Sequence, residues 1–203
     1  MIASMKIDEF LKTYLGKVIT RLTQYSYYDI AYPRHIKVKK YHSPLTCLDA
    51  IYFNLDEYDI FIFQGTTSLV DWVADLKMAL GIKPRQFKRA LKFVKNNGNK
   101  NKKTIIAGHS LGGAITEYVI SELKCTDNLL GVTYNGAGVK HLVKNKNKNV
   151  HIYNYISDRD ILNRLTRKLP FGLFDHLGET LILKDEEFKN GFKSHSNFRT
   201  FQN

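Results

Sequence analysis

Lys103-Thr104-Ile105-Ile106-Ala107-Gly108-His109-Ser110-Leu111-Gly112-Gly113-Ala114 is a short β-branched run that enters a Gly-x-Ser-x-Gly signature, and the residues after it read as a helix. A strand that turns at once into a helix is what a nucleophile elbow requires, because the tight turn lifts the serine side chain clear of the backbone. Gly108 and Gly112 stand two residues either side of Ser110, where a Cβ would collide with the neighbouring strand or helix. The helix starts directly behind the serine, so its N–H groups and positive dipole end face any negative charge that develops there. The spacing therefore predicts a nucleophile at Ser110. A glycine-rich turn whose serine merely caps the helix is the plainer alternative.

Upstream of the elbow, residues 50–55 and 58–63 read as strands joined by a tight turn at Asp56-Glu57. The second is nearly continuous in large apolar residues, as expected for a strand buried on both faces. Residues 36–41 alternate and read as a shorter strand. Residues 7–28 carry apolar side chains at helical spacing and read as one long helix, ended by Pro33. Helical patterns also cover 69–80 and 86–94. Downstream, 129–134 and 150–156 are strands, and 181–183 a last edge strand. Strands alternating with helices through the centre predict an α/β fold with a mostly parallel sheet. With 203 residues, no internal repeat and no long linker, residues 1–203 are expected to form a single domain.

The chain is 43% hydrophobic and 25% charged, in the ordinary range for a globular protein. No apolar run approaches the roughly 18–20 residues that cross a bilayer. The N-terminal residues carry acids rather than an apolar core, so a cytoplasmic protein is expected. Cys47 and Cys125 stand in apolar sequence and read as reduced core residues. The net charge of +12 gathers in 37–40, 83–103 and 140–148. Three readings fit it: a coding bias toward Lys and Asn, attraction to an anionic membrane at about 1 kcal/mol per basic residue, or binding of nucleic acid. No nucleic-acid motif accompanies the charge, so no specific nucleic-acid partner is expected. Peripheral contact with an anionic membrane surface stays open.

A serine hydroxyl needs a base within reach, and the base needs an orienting acid. In an α/β-hydrolase the chain order is Ser, then Asp or Glu, then His. Here the strand at 150–156 delivers Asp158 or Asp160 to the end of the sheet, and only His176 and His195 follow. His35, His42, His141 and His151 have no metal-ligand partners at useful spacing. No metal or other cofactor is expected.

These residues carry a family resemblance. Phe63-Gln64-Gly65-Thr66-Thr67-Ser68-Leu69-Val70-Asp71-Trp72-Val73-Ala74-Asp75-Leu76 resembles the F-R-G-[ST]-x-S-x-x-[DN]-W-x-x-D-[LF] segment of the class 3, or fungal-type, lipases. Gly108 to Ala114 coincides with their G-H-S-L-G-G-A elbow, and Tyr134-Asn135-Gly136-Ala137-Gly138 resembles F-G-A-P-x-V-G with Gly138 where proline is usual. The resemblance spans 58–195, and the N-terminal helix adds nothing specific to it. It implies an α/β-hydrolase-like three-layer sandwich, compact, with a minimal lid confined to about 67–84.

It implies Ser110 as nucleophile, and Thr66 with the backbone N–H of Leu111 as the oxyanion hole. Asp160 is the implied acid, since Ile161-Leu162 after it resembles the family's D-[PI]-[VI] step; Asp158 is its rival. His195 is the implied base, and His176 resembles a structural H-x-G-x-E segment. His109 reads as a packing or hydrogen-bonding residue, and Asp75 as an anchor behind the oxyanion loop. Trp72 either contacts lipid from the lid or packs inward. The implied activity is that of a serine carboxylic-ester hydrolase on acyl lipids, of triacylglycerol lipase or phospholipase A1 type. A fold-retaining, inactive binding protein and a basic module that binds anionic membrane are the alternatives.

Overall fold

The computed structural model describes residues 5–28, 30–65, 85–124, 126–143, 150–166 and 175–202. They build a seven-stranded sheet in which spatial order follows sequence order. The strands are β1 (Lys37–Ser43), β2 (Leu48–Asn54), β3 (Tyr58–Phe63), β4 (Lys103–His109), β5 (Leu129–Tyr134), β6 (Ile152–Ser157) and β7 (Glu179–Leu183). β1, β2 and β3 pair antiparallel through tight turns, as the Asp56-Glu57 step predicts. From β3 to β7 every pairing is parallel.

Parallel neighbours wound always in one direction place their right-handed crossovers on one face of the sheet. α3 (Arg85–Asn97), between β3 and β4, and α4 (Leu111–Glu122), between β4 and β5, share one apolar core with that face. Leu162 of α5 (Ile161–Thr166) joins the same core. The opposite face must be covered by something other than crossovers. Phe10 of α1 (Ile7–Phe10), Ile19 of α2 (Tyr14–Tyr25), Phe198 and Phe201 cover it. Helices, sheet and helices make three layers: the α/β-hydrolase sandwich.

Tyrosines on β5 and β6 fasten the N-terminal layer, each offering an apolar ring to the core and a hydroxyl to the helix. Tyr134 Oη lies 2.9 Å from Thr20 Oγ1, Tyr155 donates to the Ile7 carbonyl at 2.8 Å, and Tyr153 donates to that of Met5. The helix expected over 7–28 is two helices, for a local reason. Thr13 caps α2 by accepting from the Gly16 N–H at 3.0 Å and donates to the Phe10 carbonyl at 2.7 Å, which folds the chain back. α2 ends at Tyr25, well before Pro33.

Cys47 corrects an expectation: it is an exposed free thiol with φ of 50° in the turn between β1 and β2, not a core residue. Of its apolar neighbours, Leu48 opens the buried strand that follows, whereas Leu45 lies in the same turn and is itself exposed. Cys125, the 69–80 helix, the 67–84 lid stretch and the lysine-rich 144–148 loop lie outside the described residues. Among the described residues no helix is long and apolar enough to cross a membrane.

Candidate active site

The parallel strands all end along one edge, and the candidate site is assembled there. β4 closes at His109, in register with Tyr134 of β5. The ladder runs one residue further, because the Ser110 N–H donates to the Tyr134 carbonyl at 3.0 Å. Ser110 then takes φ 58° and ψ −124°, a backbone state that a serine adopts only under constraint, and α4 begins at the next residue. The constraint is steric. A Cβ on Gly108 would lie 2.2 Å from the Gly112 carbonyl oxygen, and one on Gly112 would lie 2.0 Å from that of Phe63. The elbow is a wedge of backbone between β3 and α4. The Leu111 N–H sits in the first turn of α4, where no intrahelical acceptor exists.

β6 delivers Asp160, the candidate acid. After Ser157 the chain turns tightly, with the Asp160 N–H on the Ser157 carbonyl at 3.1 Å, and Asp160 is fully buried. Its Oδ1 accepts the Asn163 N–H at 2.7 Å, and its Oδ2 accepts from His195 Nδ1. Nδ1 is the donor to that carboxylate, which leaves Nε2 as the basic nitrogen of the neutral ring. Asp158 is placed elsewhere: its Oδ1 accepts the Asp185 N–H at 2.9 Å and braces the loop after β7.

His195 closes α6 (Gly191–His195), a single turn capped by the Asn190 side chain. Its backbone is held as firmly as its ring. The His195 carbonyl accepts from His109 Nε2 at 2.7 Å and from Asn135 Nδ2 at 2.9 Å. Asn135, at φ 45° just beyond β5, also accepts the Ser157 N–H at 2.8 Å through Oδ1. Ser194 Oγ lies 2.6 Å from Ser157 Oγ. The ends of β4, β5 and β6 therefore all hold this one turn.

In a cluster so thoroughly bonded, Ser110 Oγ and His195 Nε2 are both buried and have no hydrogen-bond partner. An unmet buried polar atom costs about 1–3 kcal/mol, so the two stand out among neighbours that are otherwise bonded. Such contacts commonly tighten only when substrate is bound.

His109 is the hub between the elbow and His195. Its ring centroid lies 4.7 Å from that of His195. Burial pushes its pKa down to about 3, the nearby His195 adds to the fall, and the bond to the His195 carbonyl opposes it. It is neutral at pH 7 and donates through Nε2, so Nδ1 is an acceptor. Tyr27 fills that role from the turn after α2, with its hydroxyl 3.1 Å from His109 Nδ1. The same hydroxyl accepts the Gly65 N–H at 2.7 Å, and Gln64 Nε2 donates to the Ser26 carbonyl. Burial pushes the Tyr27 phenol up, so it stays protonated and can donate. Gly65 is close enough that a Cβ there would stand 2.9 Å from Ser110 Cβ.

The end of β3 is thus tied to the elbow by residues of the N-terminal layer, which lies outside the stretch that carries the family resemblance. Tyr27 has no local signature to betray it. Thr66, one residue past Gly65, and Trp72 lie outside the described residues.

His176 stands apart from this cluster. Its Nδ1 lies 2.5 Å from Oε1 of Glu117, a fully buried acid on α4 whose Oε2 accepts the Leu177 N–H at 3.0 Å and the Val139 N–H at 3.4 Å. Burial pulls the His176 pKa down, but the charge and hydrogen bond of Glu117 outweigh it and the net shift is upward. Glu117 was legible in principle, as a lone acid in the middle of an otherwise apolar helical run. Among the described residues no group of three or more His, Cys, Asp or Glu side chains is arranged to hold a metal ion.

No curated protein sequence matches the chain. Among solved structures, a triacylglycerol lipase from Penicillium expansum is similar at 13% identity and a TM-score of 0.57, over 88% of this chain and 81% of that one. The triacylglyceride lipase of Rhizomucor miehei is similar at 18% identity and a TM-score of 0.52, over 88% and 78%. At such identities the likeness establishes the fold. The family comes from sequence: residues 42–165, more than half of the chain, match the Tle-like phospholipase domain. The chain belongs to the Tle-like phospholipase domain family, and with it to the carboxylic ester hydrolases of the α/β-hydrolase fold.

Proposed function

We propose that the chain, acting as one domain over 1–203, hydrolyses the carboxylic ester of an acyl lipid, an acylglycerol or a phospholipid, through a Ser110–His195–Asp160 triad. The observation that carries this reading is the pair of buried, unpartnered atoms, Ser110 Oγ and His195 Nε2, beside an imidazole whose other nitrogen is fixed on Asp160. Ser110 Oγ attacks the ester carbonyl while His195 Nε2 takes its proton. Asp160 holds the ring in the productive tautomer and stabilises the imidazolium. Charge on the carbonyl oxygen is met by the N–H of Leu111 and by Thr66; one such donor typically contributes about 3–4 kcal/mol in the transition state. The imidazolium then protonates the departing alcohol. Water, activated by the same Nε2, cleaves the acyl-enzyme.

The phospholipase-like family supports an acyl-lipid substrate, and the net charge of +12 supports peripheral contact with an anionic membrane. A fluorophosphonate probe should label Ser110 in the wild type and not in Ser110→Ala. Turnover of p-nitrophenyl butyrate should be lost in Ser110→Ala and His195→Ala but kept in His176→Ala. Equal rates in wild type and Ser110→Ala would sink the assignment. A labelled protein that cleaves soluble esters but neither phospholipid nor acylglycerol would reject the lipid substrate alone.

A further inference from the structure

The N-terminal layer carries a surface that neither the core nor the candidate site explains. Gly16, Ile19, Thr20 and Thr23 form the buried side of α2. Tyr14, Lys17, Arg21 and Tyr25 recur on the opposite side at i, i+3, i+7 and i+11, an arc of about 80° on a helix of 3.6 residues per turn, and all are exposed. Tyr28 follows in the turn beyond. Tyr14 is 86% exposed, Tyr28 61% and Tyr25 42%, three of the few large apolar side chains the described residues leave in water. α2 contains no Asp or Glu. The stripe also ends at the candidate site, since Ser26 and Tyr27, between Tyr25 and Tyr28, bond Gln64, Gly65 and His109.

We propose that this stripe is the face by which the chain docks on an anionic lipid surface, with the rings of Tyr14, Tyr25 and Tyr28 in the headgroup layer and Lys17 and Arg21 over anionic headgroups. The argument is one of chemical match. Tyrosine suits a boundary that is apolar on one side and wet on the other. A helix with aromatic and cationic residues on its outer side, and no acid, suits a negatively charged interface. A plain electrostatic explanation would favour α3 instead, whose exposed Arg85, Lys88, Arg89, Lys92 and Lys95 carry more charge but no exposed aromatic residue. α3 lies on the other face of the sheet, so the two surfaces can be tested separately. The proposal rests on the acyl-lipid reading above, because docking through α2 brings that substrate's own surface to the edge where Ser110 lies.

The test uses the full chain and vesicles of ether-linked lipids, which cannot be hydrolysed. Co-sedimentation is measured with phosphatidylglycerol and with phosphatidylcholine vesicles, at low and high salt. The wild type is expected to prefer phosphatidylglycerol. Lys17→Gln with Arg21→Gln should weaken this binding by about 30-fold at low salt, about fivefold per charge, and by much less at high salt. Tyr14→Ser with Tyr25→Ser and Tyr28→Ser should weaken it by about 10-fold at both salts, since removing apolar contact is not screened.

All variants should keep wild-type rates on soluble p-nitrophenyl butyrate and the wild-type unfolding midpoint. Lys88→Gln with Arg89→Gln and Lys92→Gln on α3 should change sedimentation much less than the α2 pair. A loss confined to the α3 variant, or no binding to phosphatidylglycerol at all, overturns the proposal. So does tighter binding of a single-stranded oligonucleotide lost in the same α2 variants. Stripe-dependent binding by a chain that cleaves no ester would keep the docking face and reject the hydrolase reading; ester cleavage without that binding would do the reverse.

Discussion

Replacing Tyr27 by Phe removes one oxygen atom and, with it, the hydroxyl that joins Gly65, just past β3, to His109 of the elbow. The Gly65 N–H loses its acceptor at 2.7 Å and His109 Nδ1 loses its donor at 3.1 Å. Each abandoned group costs about 1–3 kcal/mol, and because Tyr27 is only partly buried, water recovers some of it, so about 2–4 kcal/mol in total is expected. In a chain of this size that lowers the unfolding midpoint by about 5–15 °C. The kinetic effect is separable from the thermodynamic one. Gly65 precedes Thr66, the proposed oxyanion residue, and a loosened segment there misplaces a donor that acts only in the transition state. We expect kcat on p-nitrophenyl butyrate to fall by about 10–100-fold with KM nearly unchanged. The assay pairs urea unfolding with initial rates well below the unfolding transition. Tyr28→Phe, on the exposed neighbour, should leave both readouts alone. Wild-type kcat in Tyr27→Phe, or a loss carried wholly by KM, would refute the reasoning.

Acid should reach the fold through His109. Its native pKa of about 3 lies below the ordinary 6.5, so the unfolded chain binds the extra proton first. Its contribution is complete above pH 6.5 and declines as the pH falls toward 3, by up to about 1.4 kcal/mol per pH unit. The urea midpoint between pH 7 and 4 should therefore fall more steeply in the wild type than in His109→Gln, and parallel slopes would show that His109 is not the group responsible. Glu117 gives a prediction of opposite sense. It raises the His176 pKa above 6.5, so the pair stabilises the fold fully below that pH and loses its contribution as the pH rises through the raised value. Glu117→Gln should cost about 3 kcal/mol at pH 6 and distinctly less at pH 9, measured by urea unfolding; a cost that grows with pH would contradict the pairing.

What the sequence made legible is local or periodic. β3 and β5 occupy the residues that their apolar runs mark, and β4 with its elbow follows directly from one short motif. Ser110, Asp160 and His195, singled out by motif and family resemblance, are all buried; Asp160 accepts from His195, whose carbonyl is bonded by His109, next to Ser110. Asp158 and Asp160 stand two residues apart on a tight turn; the sequence favoured Asp160 through the Ile161-Leu162 step after it, and the structure gives the two different partners, Asp185 for Asp158 and His195 for Asp160. Less visible were contacts that join distant positions through polar atoms. Tyr27 reaches Gly65 and His109 across long stretches of chain, and Asn135 reaches His195. Nothing in the neighbourhood of Tyr27 distinguishes it from Tyr25 or Tyr28. Thr13 broke a helix whose apolar spacing continued undisturbed, because a side-chain cap competes with periodicity and leaves it intact. Cys47 was misjudged by the company it keeps in sequence.

The one-directional winding of β3 to β7 has a consequence for how the chain can be altered. Every handover from strand to candidate site occurs at the edge reached by Phe63, His109, Tyr134 and Ser157, while the return loops open at the far edge. There Gly98, Asn99, Lys100 and Asn101, and likewise Thr126, Asp127 and Asn128, are exposed and remote from Ser110 along their strands. The molecule is in this sense a one-ended device. Its working end is specified by register to the single residue, whereas its blunt end can be lengthened, fused to a reporter or tethered to a support without the chemistry registering the change.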